Sequence, residues 1–378
     1  MSVFDDIVRH DVAPHSADEA AFAYLNRSNR AEAVRVRALV DSWFEQYPAE
    51  HRSGLIERFR ASRDQHHKSA FFELLLHQLA LATGHRVIAV EPLLPHSRCR
   101  PDFLLEAPDG GRFYLEAVLA TGQSGPEMAA QARLDTALAR IDRVESPDHF
   151  LDVTTRGLPT DPISGNELMK DLKRWIAGLP KGEGAFDVAP FCWEEHGARI
   201  ELKAWPRHRP GAPGGAIGVR HFPFRAARGQ SDIREAVAWK ARKYGVLDHP
   251  LVVAVNSFER FLTESTVLDA LFGSPELAIR DENGRHRAEE VRASDGVWWG
   301  KNGARKRVLS AVLSVAHVDP WNFARRVGCL VRNPWAALEL APVHFGLDEI
   351  SLKDGAFQKT KGATLGHRLG LPDRWPEA

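Results

Sequence analysis

Arg100-Pro101-Asp102-Phe103-Leu104-Leu105-Glu106-Ala107-Pro108-Asp109-Gly110-Gly111-Arg112-Phe113-Tyr114-Leu115-Glu116-Ala117-Val118 reads as a β-hairpin. Two short runs of β-formers flank Pro108-Asp109-Gly110-Gly111, a strong turn signal. With the turn centred on Asp109, Asp102 and Glu116 are equidistant from it and face each other. Opposed cross-strand Cβ atoms lie about 5 Å apart. Two carboxylates that close repel unless one is protonated or a cation lies between them. A hard divalent ion such as magnesium, which takes oxygen ligands, suits the gap. The neighbours Phe103, Leu105, Phe113 and Leu115 are apolar, so these acids do not belong to an ordinary solvated face.

Upstream, Ser69-Ala70-Phe71-Phe72-Glu73-Leu74-Leu75-Leu76-His77 reads as a helix, predicted over 66–84 and stopped by Gly84. Phe71, Leu75, Gln78, Leu79 and Ala82 trace its core face, and Glu73 and His77 stand one turn apart on a neighbouring face. Downstream, Ala236-Val237-Ala238-Trp239-Lys240-Ala241-Arg242-Lys243-Tyr244 reads as a helix capped at Ser231 or Asp232 and ended by Gly245. Leu251-Val252-Val253-Ala254-Val255-Asn256 has the apolar build of a strand covered on both faces.

Helix acid, Pro-Asp, hairpin and Glu116-Ala117-Val118 together resemble the PD-(D/E)XK nuclease superfamily. That motif has lysine two residues after its second acid, where this chain has Val118. Some branches carry the lysine on a later helix, and Lys240 matches that place. Its spacing to Tyr244 is similar to a Gln-x-x-x-Tyr helix of the helicase-nuclease branch, with lysine for glutamine. The resemblance rests on four short motifs between about 69 and 256. It implies a magnesium site (manganese as a substitute) held by Asp102, Glu116, Glu73 and the Ala117 carbonyl. Lys240 would be the catalytic cation, with Lys243 and Tyr244 as secondary candidates.

The 378 residues allow one large domain with insertions or two domains, and 44% hydrophobic with 26% charged residues is ordinary for a folded protein. No apolar run reaches the length of a membrane span. Residues 1–6 are acidic and lack the build of a signal peptide. Cys99, Cys192 and Cys329 make neither a disulfide framework nor a zinc site, and the expected setting is the cytoplasm. Fifty basic residues balance fifty acidic ones, which removes global steering toward nucleic acid but leaves room for a local basic groove.

Residues 17–62 read as helices whose many arginines form a solvated face. Helices over 127–144 and 167–179 bracket a strand at 150–154. A change of composition marks an insertion at about 180–228, with a hairpin pairing 186–193 and 199–205 and a Gly/Pro loop at 209–215. Within it, Glu201-Leu202-Lys203 is a literal Glu-x-Lys, far from any Pro-Asp partner and discounted for that reason. Gly122-Gln123-Ser124-Gly125 lacks the spacing of a nucleophile elbow. In the last third, Trp298-Trp299 and His317-Val318-Asp319 read as packing and strand-end residues.

The expected fold class is α/β: a mixed central sheet flanked by helices, restriction-endonuclease-like. Its parts are a helical region at 1–65, a core at 66–256 and an α+β extension at 257–378. The expected function is metal-dependent hydrolysis of nucleic acid, DNA rather than RNA, in an endonuclease-like manner, with no membrane partner and a homodimer left open. Two alternatives stand beside it: a catalytically inactive nuclease-like module that binds nucleic acid or a protein, and a metal hydrolase with another substrate.

Overall fold

A computed structural model describes residues 2–16, 19–94, 97–121, 125–180, 188–207, 215–221, 229–258, 262–282, 285–342, 345–372 and 374–377. The chain forms two compact units. The first comprises residues 1–13, 20–122 and 227–378, and the second comprises 14–19 and 123–226.

The first unit is built on an eight-stranded mixed sheet. Its strands are β1 (Arg86–Val90), β2 (Phe103–Glu106), β3 (Arg112–Ala120), β4 (Leu251–Ser257), β5 (Leu309–Ala316), β6 (Cys329–Arg332), β7 (Asp348–Lys353) and β8 (Ala356–Thr360), side by side in that order. The first three pair antiparallel, whereas β3, β4 and β5 run parallel. The remaining pairings alternate: β5–β6 antiparallel, β6–β7 parallel, β7–β8 antiparallel. All seven residues of β4 are buried, as expected for a central strand covered on both faces.

Six helices of this unit pack in its cores: α1 (Ala21–Arg27), α2 (Ala31–Gln46), α3 (Arg52–Phe59), α4 (Asp64–Ala82), α5 (Gly229–Lys243) and α6 (Glu264–Phe272). On one face, Leu115, Val252, Ala254 and Leu313 share a core with Phe44, Phe59, Phe71 and Leu75 from α2, α3 and α4. On the other, Tyr114, Val253 and Val255 share a core with Ile233, Val237 and Ala241 of α5 and Leu271 of α6. The sheet is therefore a middle layer between helices, the α/β class the sequence implies.

The second unit has its own four-stranded sheet, in the order Phe191–Glu195, Ala198–Pro206, His149–Arg156 and Ile217–His221. Helices Gly165–Ala177 and Gly125–Asp142 cover one face, through Leu134, Leu138 and Leu168 packed with Leu151, Val153 and Ile200.

The units divide the chain differently from the expected boundaries. The inserted unit begins at 123 rather than near 180, because the strand His149–Arg156 pairs with Ala198–Pro206 instead of joining the central sheet. The expected C-terminal extension is part of the core: β5 adds to β4 and carries β6, β7 and β8 outward. The helical region at 1–65 also packs into the first unit's core, through Phe44 and Phe59. Helix α5 begins at Gly229, so Ser231 and Asp232 lie in its first turn, where Asp232 suits the helix dipole. Residues 209–214 of the expected 209–215 loop, residues 186–187 of the expected hairpin and the loop residues 122–124 lie outside the described residues.

Candidate active site

The β2–β3 hairpin sets the geometry. Gly110 takes a φ of +88°, its N–H donates to the Ala107 carbonyl at 2.8 Å, and Gly111 N–H donates to Asp109 Oδ1 at 2.9 Å. Glycine tolerates that φ without strain. The resulting register pairs Glu106 with Arg112, Leu105 with Phe113, Leu104 with Tyr114 and Phe103 with Leu115. One further step places Asp102 opposite Glu116, as the turn predicted.

Two hydrogen bonds lock the pair. Asp102 N–H donates to Glu116 Oε2 at 3.1 Å, and Ala117 N–H donates to Asp102 Oδ2 at 2.6 Å. Side chains alternate across a strand, so Glu116 points to the α5 side with Tyr114 and Val118, while Leu115 and Ala117 point to the α4 side. Glu116 is only 1% exposed.

Helix α5 brings the cation. Ile233, Val237, Ala241 and Tyr244 make its buried stripe, and Lys240 occupies a position inside that stripe. Its ammonium is hydrogen-bonded to Glu116 Oε1, with side chains 12% and 2% exposed. Lys243 Nζ stands 3.8 Å from the same oxygen, and 4.2 Å from the ring centre of the exposed Trp239. Tyr244 OH donates to the Arg100 carbonyl at 3.2 Å, beside the Pro-Asp turn. Lys240 and Lys243 thus converge on Glu116, and Tyr244 on the backbone beside Asp102.

Charge is crowded at this point. Loss of solvent and the neighbouring Glu116 and Glu73 charges raise the pKa of Asp102 well above the usual carboxylate range, against the opposing pull of Lys240 and the Ala117 N–H. Burial and the Glu116 charge likewise raise the Tyr244 hydroxyl, which therefore keeps its proton.

Glu73 does not join the pair. Its Oε1 accepts from Tyr47 OH at 2.7 Å and from Arg58 Nη2 at 3.0 Å, and its Oε2 accepts from Arg58 Nη1 at 2.5 Å. Helix α4 packs on the face of the sheet opposite α5, and the Glu73 charge is one of the causes that raise the Asp102 pKa. His77, one turn further on, packs against Tyr47 at 5.0 Å between ring centres, and burial pushes its pKa down to about 4. Among the described residues, no group of three or more His, Cys, Asp and Glu side chains could hold a metal ion.

A smaller oxygen set, Asp102, Glu116 and the Ala117 carbonyl, could hold a hard cation. The register step after Asp102–Glu116 puts Pro101 opposite Ala117, whose N–H already points that way to Asp102. Backbone N–H and C=O of one strand residue point to the same side, and proline has no N–H to give. The ladder therefore supplies no donor there for the Ala117 carbonyl. Two carboxylates and one carbonyl, with water in the remaining positions, suit magnesium.

Sequence reasoning missed Arg58 and Tyr47, which lie 15 and 26 residues from Glu73 on other elements. The arginines of 17–62 are not all solvated: Arg37 is buried and donates to the Leu25 and Ser28 carbonyls at 2.6 Å each. Glu201 and Lys203 lie on the strand Ala198–Pro206 of the second unit. Asp319 accepts from the Trp321 and Asn322 amides at the start of a short 3-10 turn, a structural role. Trp298 is fully buried, as the packing reading expected.

No model of a known protein family matches the chain, and no curated protein or solved structure matches it.

Proposed function

We propose that this chain is a metal-dependent nuclease that hydrolyses phosphodiester bonds, of DNA rather than RNA, in an endonuclease-like manner. One observation carries the reading: a lysine from a distant helix contacts the buried acid of a Pro-Asp hairpin, on the face that Val118 leaves without a lysine. Asp102, Glu116 and the Ala117 carbonyl would hold magnesium or manganese, which when bound neutralises phosphate charge and acidifies water.

The chain's own residues supply the rest. Glu116 holds the Lys240 ammonium beside the acids, where its remaining N–H bonds can steady an attacking water or a phosphate oxygen gaining charge. Lys243 adds a second positive charge at the same edge. Tyr244, kept neutral, braces the turn that carries Asp102 through the Arg100 carbonyl. In the reaction the attacking water gives up one proton as its oxygen adds to phosphorus, the P–O bond to the leaving oxygen breaks, and that oxygen takes up one proton, so none is gained or lost overall. The proposed setting is the cytoplasm, which suits three unpaired cysteines, and cutting both strands of a duplex would use a homodimer.

A second reading, a catalytically inactive nuclease-like module, is favoured by Val118 and by the commitment of Glu73 to Arg58. The test is cleavage of linear, circular and single-stranded DNA and of RNA with magnesium, manganese or EDTA. Metal-dependent cutting lost in both Asp102→Ala and Lys240→Ala supports the nuclease. Cutting that survives Asp102→Ala sinks it, and binding without cutting favours the second reading.

A further inference from the structure

We propose that Trp239 is a stacking platform for an unpaired base beside the bond to be cut, so that the substrate meets the site as a single strand. The inference rests on the nuclease reading above and deepens it by naming the form in which the nucleic acid is presented.

Its place on the helix leads to this. Ile233, Val237 and Ala241 turn one side of α5 into the core, and Trp239 lies off that stripe, 54% exposed. An indole is a large apolar surface, and the fold gains little from one left in water. What surrounds the ring is specific. Lys243 Nζ stands 4.2 Å and Lys240 Nζ 5.4 Å from the ring centre. Lys240 is hydrogen-bonded to Glu116 Oε1, and Lys243 Nζ lies 3.8 Å from the same oxygen. Lys243 therefore spans the gap between the indole and the acid, and distances alone place the ring at the edge of the site. Because both ammonium groups meet one oxygen, they approach the indole from the side on which Glu116 lies, and the exposed remainder of the ring is left to solvent.

A nucleotide offers two kinds of surface, a charged phosphate and a flat base. Lys240 and Lys243 match the first, and the indole beside them matches the second. Cations and aromatic rings set side by side in this way are how proteins hold single strands. Inside a duplex both faces of a base are already stacked on its neighbours, so the ring finds a free face only where a base is unpaired. Stacking also needs no long-range attraction, which suits a chain with no net charge. An indole that served only to hold the lysines would be redundant for Lys240, which Glu116 already holds.

The experiment measures anisotropy of fluorescein-labelled oligonucleotides with the full chain in EDTA, over a series of KCl concentrations. The probes are single-stranded DNA, single-stranded RNA, an abasic DNA strand of the same length and a blunt DNA duplex. Trp239→Ala is expected to weaken binding of the strands that carry bases by about tenfold, and Trp239→Phe by less than about threefold, because stacking needs only an aromatic ring. On the abasic strand and the duplex, both variants should stay within about twofold of the parent. The slope of log affinity against log salt should not change in either variant, because stacking releases no counterions. An indole that only positioned the lysines would instead lower the slope and weaken the abasic strand as much as the others. Equal losses on strands with and without bases, or no loss on the strands that carry them, overturn the inference and leave the nuclease reading standing. A parent chain that binds neither DNA nor RNA overturns both.

Discussion

Glu116 and Lys240 lie 124 residues apart in the chain and share a buried ion pair on the α5 face of the sheet. Removing Lys240 leaves Glu116 with the Asp102 N–H at 3.1 Å and, as its cation, Lys243 at 3.8 Å. Breaking a buried pair from one side costs about 3–5 kcal/mol, and the nearby Lys243 places Lys240→Ala at the low end. Urea unfolding should register that loss. Turnover should fall by roughly a hundredfold or more, the scale of losing one charge-stabilising donor.

Val118 follows Glu116 by two residues and packs on the same side as Lys240. Lysine at 118 would place an ammonium where the sequence motif has it. The double variant Lys240→Ala/Val118→Lys should therefore recover at least about tenfold of the activity lost in Lys240→Ala. Equal activity of the single and double variants would show that the helix position itself is required.

Asp102 has a folded-state pKa raised by burial and by Glu116 and Glu73. For an acid shifted upward, the folded state holds the proton more tightly than the unfolded chain. The contribution to stability is present below the ordinary carboxylate range and is lost as pH rises through the raised value. Without metal, Asp102→Asn should raise the melting temperature, and its margin over the parent should widen from about pH 4 upward. Added manganese should close that gap by stabilising the parent alone.

His77 behaves in the opposite sense. Burial lowers its pKa to about 4, so the folded state refuses a proton that the unfolded chain accepts below about 6.5. Stability that is complete above about pH 6.5 should fall as pH approaches 4, by up to about 3 kcal/mol. The ring resonance of His77 should titrate near 4 by NMR, and a midpoint near 6.5 would contradict the packing described. His77→Phe should flatten the acid limb of the stability curve.

Asn256 is fully buried and clamps the loop after β5: its Nδ2 donates to the Val318 carbonyl at 2.7 Å, and its Oδ1 accepts from Val318 N–H at 2.9 Å. Asn256→Leu orphans both backbone groups, at about 1–3 kcal/mol each. Chemical denaturation should find a loss of about 2–6 kcal/mol.

Local patterns carried much of this site. The Asp109-Gly110 turn fixed the hairpin register, so the Asp102–Glu116 pairing followed from counting. The stripe Ile233, Val237, Ala241 and Tyr244 contains Lys240, so helical periodicity turned it inward. What stayed illegible depends on non-local packing. The capture of Glu73 by Arg58 and Tyr47 joins three elements that no spacing relates. The parallel pairing of β5 with β4 leaves no turn signal between them, so residues beyond 257 read as an appendage when they are core. Residues 123–226 look like successive α and β elements of one sheet, and only their pairing with each other separates them.

That second unit enters the chain between the strand bearing Glu116 and the helix bearing Lys240. A ribosome therefore delivers the hairpin long before its cation. At roughly 5–20 residues per second, the 124-residue gap corresponds to about 6–25 s of synthesis. Through that interval the inserted unit has its whole sequence available to fold, while the acids wait without Lys240. The hairpin leaves the exit tunnel without its partner, and the Glu116–Lys240 pair forms only after the inserted unit has been made.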